Sequence, residues 1–230
     1  MKAGEIVSHT DICVRERRML QHGMNFRVSP RHSVILMSQR AGAPYQDQVL
    51  DGGSTLIYEG HDVPRAKGIT DPKLFDQPSF TPTGRLTPNG KFRQAALDFK
   101  EGRSQAERVR VYEKIKDGIW TYNGLFLLVD VREESFGGRK VFKFRLEMTE
   151  QDLESGPDSW LQLPHNRMIP AEIKREVYKR DKGRCVICGA SDNLHFDHDF
   201  PFSKGGTSLS VTNIRLLCAR HNLSKSDKIE

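Results

Sequence analysis

Four residues in the last quarter of the chain have a spacing that soft-metal chemistry uses. Cys185 and Cys188 form a C-x-x-C pair, and Cys218 and His221 a C-x-x-H pair. Two donors separated by two residues reach one ion from a single turn, and two such pairs close a tetrahedral Cys3His site of the structural zinc type. Ordinary buried thiols are the plain alternative, and the paired spacing argues against it. A second group lies between and beside the pairs: Asp197-His198, Asn213, and Asn222 directly after His221. A carboxylate and an amide carbonyl offer the oxygen donors that a hard divalent cation takes. An imidazole titrating near neutrality can remove a proton from water. The plain alternative here is a hydrogen-bonded turn with no metal. Lys225, three residues after Asn222, reads as a phosphate contact or equally as a solvated lysine.

These residues need elements to hold them. IPAEIKREVYKRD (169 to 181) reads as a helix, with Ile173, Val177 and Tyr178 on one face, basic residues elsewhere and Pro170 in the first turn. The cysteine pair follows, then a strand LHFDHDF, a glycine-bearing loop PFSKGGTS, a strand NIRLLC and a helix from about Ala219. The expected unit is ββα with a metal knuckle. A core of some sixty residues is marginal alone, so a metal staple would supply what packing lacks.

Quoted together, C-V-I-C, F-D-H-D-F-P-F-S-K-G-G and N-I-R-L-L-C-A-R-H-N-L-S-K resemble the HNH nuclease family over residues 168 to 230. The resemblance implies that His198 is the general base for water and that Asp197 with Asn222 holds one Mg²⁺ or Mn²⁺. It also implies that Asn213 pins the loop and orients the histidine. Either His221 or Asn222 could fill the last position of the motif. Asn222 is preferred, because without His221 the zinc would keep only three ligands.

The front of the chain is β-rich. SVILMSQ (33 to 39), STLIYEG (54 to 60), ERVRVYEKI (107 to 115), YNGLFLLVDV (122 to 131) and KVFKFRLEM (140 to 148) read as strands, the last with clear alternation. A helix is predicted over Lys91 to Lys100, where Phe92, Ala95, Ala96 and Phe99 share a face. Residues 61 to 90 hold five of the eleven prolines and read as long functional loops. A linker is expected over 150 to 167, which divides the chain into a front domain at 1 to 149 and a C-terminal domain at 168 to 230.

APYQDQVLDGGSTLIYEG (43 to 60), ERVRVY, WTYNGLFLLVDV and GGRKVFKFRLE are similar to SRA (YDG) domains, which flip 5-methylcytosine from duplex DNA; the similarity covers residues 27 to 148. It implies that Tyr45 and Tyr58 sandwich the flipped base. The carboxylate that reads the cytosine edge maps onto Asp47 or Gln48. Strand-core tyrosines are the plain alternative for the pair. Arg65, Lys67, Arg85 and Lys91 are candidate phosphate contacts, indistinguishable here from solvated surface. Trp120 reads as core, and Cys13 as a free thiol.

Composition sets the frame. The 230 residues are 37% hydrophobic and 29% charged, with no run long enough for a membrane span. No secretory signal is visible at the start, which places the protein in a reducing cytoplasm. The net charge is +6, and residues 165 to 230 hold 12 Lys and Arg against 8 Asp and Glu. That surplus suits a polyanion, and equally a solvated basic face.

The expected fold is α+β: an SRA (PUA-like) twisted barrel followed by a zinc-stapled ββα-metal domain. The expected function is a modification-dependent endonuclease acting on double-stranded DNA that carries modified cytosine, with structural Zn²⁺, catalytic Mg²⁺ or Mn²⁺ and no membrane partner. Because one HNH site cuts one strand, double-strand cleavage would call for a homodimer. Two other readings stay open: an HNH nuclease whose PUA-like domain reads RNA or unmodified DNA, and a non-catalytic zinc-knuckle DNA-binding protein.

Overall fold

The computed structural model describes residues 1–39, 42–65, 68–149, 168–200 and 206–225. The expected linker at 150 to 167, Lys67, and most of the loop PFSKGGTS lie outside the described residues.

The five predicted runs all become strands: β3 (His32–Met37), β5 (Thr55–Glu59), β6 (Glu107–Lys116), β7 (Ile119–Phe136) and β8 (Arg139–Thr149). With β1 (Ile6–Val7), β2 (Met24–Ser29) and β4 (Gln48–Leu50) they build one sheet in the order β2-β3-β6-β7-β8-β5-β4, with β1 against β7. Only the β3–β6 ladder is parallel among the described pairings. The strands β2 and β4 end the path, and no ladder joins them into a closed barrel among the described residues.

Two helices cover the sheet. Helix α2 (Pro88–Lys100) starts three residues before the predicted point, because the Thr87 side chain accepts from the Gly90 N–H and Pro88 fits the first turn. Its Phe92, Ala95 and Ala96 pack on Ile35, Val109, Phe126, Phe144 and Leu146. Helix α1 (His9–Arg15) was not expected. Ser8 and Asp11 form a capping box at its start, and its Ile12 and Cys13 bury against Val34, Tyr112 and Tyr122. With one helix on each side, Val34 and Ile35 are both fully buried, which explains the unbroken apolar run of β3.

The C-terminal unit contains α3 (Ala171–Arg180), β9 (Leu194–His198), β10 (Ile214–Cys218) and α4 (Ala219–Lys225), close to the predicted positions. Its core of Ile169, Val177, Leu194, Phe196, Ile214, Leu216 and Leu217 also takes Ile115 from the β6–β7 hairpin and Ile6 from β1. Residues 2 to 6, expected wholly within the front domain, therefore pack on the C-terminal unit as well. Two glycines allow the backbones to meet. A Cβ on Gly4 would stand 2.6 Å from the Phe196 carbonyl oxygen, and one on Gly53 would stand 2.2 Å from that of Met168; both glycines have positive φ. Beside these contacts Lys174, 1% exposed, donates to Glu113 at 2.8 Å and to Asn123 at 2.5 Å. The predicted helix face placed Lys174 among the solvent-facing basic residues. It is buried because Glu113 of β6 meets it there.

Candidate functional site

The cysteine knuckle is built by local chain geometry. After α3 the chain turns through Lys182 and Gly183, both at positive φ, and the Cys185 N–H bonds the Ala190 carbonyl while the Gly189 N–H bonds that of Cys185. The Val186 N–H bonds the Leu216 carbonyl, tying this turn to β10, whose last residue is Cys218. His221 follows within α4. The ligand atoms of Cys185, Cys188, Cys218 and His221 all lie within 4.8 Å of one another. At a zinc–sulfur length of about 2.3 Å, two thiolates at the tetrahedral angle stand about 3.8 Å apart. The Cys188 and Cys218 sulfurs are 3.8 Å apart, and His221 Nδ1 is 3.4 Å from both Cys185 and Cys218 Sγ. Burial pushes the Cys185 thiol up. Backbone N–H groups of Cys218, Cys188 and Ile187 outweigh this, with help from His221, and bring it down to about 6. Spacing, donor softness and acidity therefore fit a zinc-like ion.

At the opposite end of the same short sheet from Cys218, β9 ends in Asp197 and His198, paired with Arg215 and Ile214 of β10. The His198 Nε2 and Ser208 Oγ are 2.8 Å apart. Burial lowers the His198 pKa, the Lys225 charge lowers it further and Asp197 opposes both, so the net direction favours the neutral, proton-accepting ring. Asn213 spans the loop: its Oδ1 accepts from the Phe200 N–H at 2.8 Å, and its Nδ2 donates to the carbonyls of Phe200 and Thr207 at 3.1 and 2.9 Å. Its side chain pins the loop, and the side-chain partner of His198 is Ser208.

The Asp197 and Asn222 oxygens each accept from an ammonium group. Lys225 Nζ is 2.8 Å from Asp197 Oδ2 and also donates to the His198 carbonyl, while Lys2 Nζ is 3.3 Å from Asn222 Oδ1. Lys225 is 2% exposed and ion-paired with Asp197, so it is not the solvated lysine that the sequence allowed. Both oxygens thus hold cationic partners, and their donor type suits a hard divalent ion. Sequence reasoning missed Ser208 and Lys2; Lys2 reaches the site only because Gly4 and Phe196 pack together.

The third group surrounds a cavity of about 310 Å³, whose lining includes Tyr45, Asp47, Tyr58, His61 and Trp120. Tyr58 is a core residue, 1% exposed, with its hydroxyl 3.0 Å from His61 Nε2. Tyr45 stacks on His61 at 5.2 Å between ring centroids and 12° between planes, and the Lys73 ammonium lies 4.5 Å from the Tyr45 ring centroid. Burial lowers the His61 pKa to about 4, with the charge of His22 adding to the shift. Burial likewise pushes the Asp47 carboxyl up to about 7, although its Oδ1 accepts from the Glu59 N–H at 3.0 Å. Buried Glu59 accepts from the Gln46 N–H and from Lys143, while Asp62 pairs with Arg139 and Lys73. These acids hold the segments that carry Tyr45 and His61.

Tyr45, Asp47 and Tyr58 therefore share one cavity. Gln48 is exposed and does not line that cavity; it lines a neighbouring groove with Leu50 and Pro170, which Tyr45 and Asp47 also border. Trp120, read as core, is half-buried on the cavity wall. His61, absent from the sequence reading, stands between the two tyrosines. Arg65, Arg85 and Lys91 are exposed, and Cys13 is a buried free thiol.

No protein-family model matches the chain, and no curated protein matches it. Among solved structures, the SUVH5 SRA domain bound to fully hydroxymethylated CG DNA is 22% identical over 62% of this chain and 84% of that chain, with a TM-score of 0.43. The SUVH5 SRA complex with fully methylated CG DNA is 22% identical over 66% and 91%, at 0.45. Arabidopsis thaliana SUVH6 in complex with SAM is 18% identical over 76% and 29%, also at 0.45. Likenesses of this extent carry no argument about function. Among the described residues no helix is long and apolar enough to cross a membrane.

Proposed function

We propose that this chain is a modification-dependent DNA endonuclease, in which the sheet-bearing unit, residues 1 to 149, reads a modified cytosine and the knuckle-bearing unit, 168 to 230, hydrolyses a phosphodiester bond. The observation that carries the reading is the joining of a half-buried imidazole, His198, and two cation-holding oxygens, on Asp197 and Asn222, to a helix that starts from a Cys3His cluster.

Neutral His198 takes a proton from the attacking water, with Ser208 fixing the ring. Asp197 and Asn222 are the residues that would hold Mg²⁺ or Mn²⁺; when bound, the ion neutralises charge that grows on the phosphate and steadies the leaving oxygen. Asn213 keeps the loop against the strand. In the front unit a flipped base would stack on Tyr45, and His61 would have to leave that face to admit it. Asp47, with a carboxyl that titrates near neutrality, can offer both an acceptor for the exocyclic amine and a donor for the ring nitrogen of cytosine.

The test is incubation of the zinc-loaded protein with methylated, hydroxymethylated and unmodified copies of one duplex, with Mg²⁺ or Mn²⁺. Cleavage confined to a modified copy is expected. Cleavage of all copies alike would remove the modified-base reading, and binding without cleavage under either ion would remove the nuclease reading.

A further inference from the structure

The next residue after Lys174 presents the opposite situation. Lys174 is buried with two partners, whereas the half-buried Arg175 has its Nη1 sealed from solvent with no hydrogen-bond partner among the described residues. A sealed guanidinium N–H without an acceptor is costly, and such groups are rare in folded proteins. Arg175 lines a cavity of about 470 Å³ formed where the β6–β7 hairpin meets α3, with Ile115, Lys116, Tyr178, Lys179 and Lys182. Four of these six residues are cationic, and none of the described lining residues is acidic. Of the acids nearest in sequence, Glu172 and Glu176 are exposed and do not line the cavity, Asp181 pairs with Arg180 at 2.6 Å, and Asp117 pairs with Lys114 at 2.8 Å. Ile115 and Tyr178 supply an apolar floor.

We propose that this cavity is a phosphate-binding site, and that its ligand is a backbone phosphate of the DNA duplex. The four cationic side chains call for an anion with several acceptor oxygens, and an arginine fork, once its sealed Nη1 turns into the cavity, matches the paired oxygens of a phosphate. Lys116 and Ile115 come from the sheet-bearing unit and the other four residues from the knuckle-bearing unit, so a bound phosphate bridges the two. The duplex is then gripped at the junction that fixes the base cavity relative to His198. The DNA part of this assignment rests on the proposed function; the anion site itself does not.

Two measurements on the full zinc-loaded protein test it. The first titrates inorganic pyrophosphate by calorimetry into wild type, Arg175→Gln and Lys182→Gln. Saturable binding by wild type that weakens at least tenfold in Arg175→Gln is expected, and no binding by wild type would overturn the site. The second follows duplex affinity against salt. Loss of one phosphate contact lowers the slope of log affinity against log salt by about 0.9, so Arg175→Gln should lower it by about one, Lys182→Gln should lower it in the same direction, and Arg175→Lys should restore most of it. Pyrophosphate binding with an unchanged slope would leave a free-phosphate site and overturn the DNA assignment. If wild type bound no duplex at all, the proposed function would fail while the pyrophosphate titration still decided the cavity. Lys182→Gln guards against a folding defect at the half-buried Arg175, and matching melting curves check both variants.

Discussion

The Cys3His cluster and the aromatic cavity are two ways of bringing distant chemistry together. The cluster takes all four side chains from residues 185 to 221, held by turns and one short hairpin. The cavity takes its walls from residues 21 to 120, and Tyr58 reaches it as part of the core shared by α2 and the long strands. An ion can close the first on its own. The second exists only when the whole sheet has formed. Stability of the cluster should therefore follow metal, and that of the cavity should follow packing.

The largest effect expected from this contrast comes from chelation. Structural zinc contributes about 10 to 16 kcal/mol in small metal-folded peptides, so a strong chelator should strip hydrogen-exchange protection from β9, β10 and α4 while β6, β7 and β8 keep theirs. Metal analysis should return one zinc per chain. Retained protection in β9 and β10 after complete metal removal would show that packing suffices there and erase the distinction.

His198→Ala should lower cleavage by about 10² to 10⁴-fold, the range for loss of a general base, while duplex affinity stays near wild type. The folded state loses chiefly one side-chain bond to Ser208, worth about 1 kcal/mol. A cleavage rate equal to wild type would remove His198 from the chemistry.

The cavity answers differently to its two tyrosines. Tyr58→Ala empties a fully buried site and should cost about 3 to 5 kcal/mol, as large aromatic truncations do. Tyr45→Ala should cost far less stability, because that ring is only half-buried, yet abolish any preference for modified DNA. Tyr58→Phe keeps the ring and loses the bond to His61, so it should cost about 1 kcal/mol. Equal destabilisation by the two alanine variants, read from denaturant melts, would place Tyr45 in the core too.

The same contrast explains what could be read in the sequence. Cys185, Cys188, Cys218 and His221 lie near each other along the chain, so their spacing carries the geometry. The five strands were readable because apolar runs and alternation are local signals. Helix α1 was missed although Ser8 and Asp11 mark its start; seven residues give little periodicity. Strand β2 was missed because MNFRVS is interrupted by Arg27 at positive φ, where its register against β3 shifts. His61, Lys2 and the buried Lys174 depend on partners far along the chain: Lys174 meets Glu113 across 61 residues and Lys2 meets Asn222 across 220. No window along the chain contains such a pair. Asp47 and Gln48 were inseparable for a related reason, since only the pairing of β4 with β5 places one beside the cavity and the other outside it.

The smallest effect separates those two neighbours. The Asp47 carboxyl ordinarily titrates at 3.8 and is held by burial at about 7 in the folded chain. Between those values the folded state keeps a proton that the unfolded state has released, so this group's contribution is fully present below about 4 and is lost as pH rises through about 7. Asp47→Asn removes that dependence and still offers an oxygen to the Glu59 N–H. Its melting temperature relative to wild type should therefore climb from pH 4 to 7 and level off above 8. Glu16 and Asp62, whose carboxyls are lowered by their partners despite burial, push stability in the opposite sense, but they do so in both proteins and drop out of the difference. Gln48→Ala, exposed on β4, should show a flat difference across the same range. A flat difference for Asp47→Asn as well would mean that water reaches the carboxyl freely and that the cavity does not hold its proton.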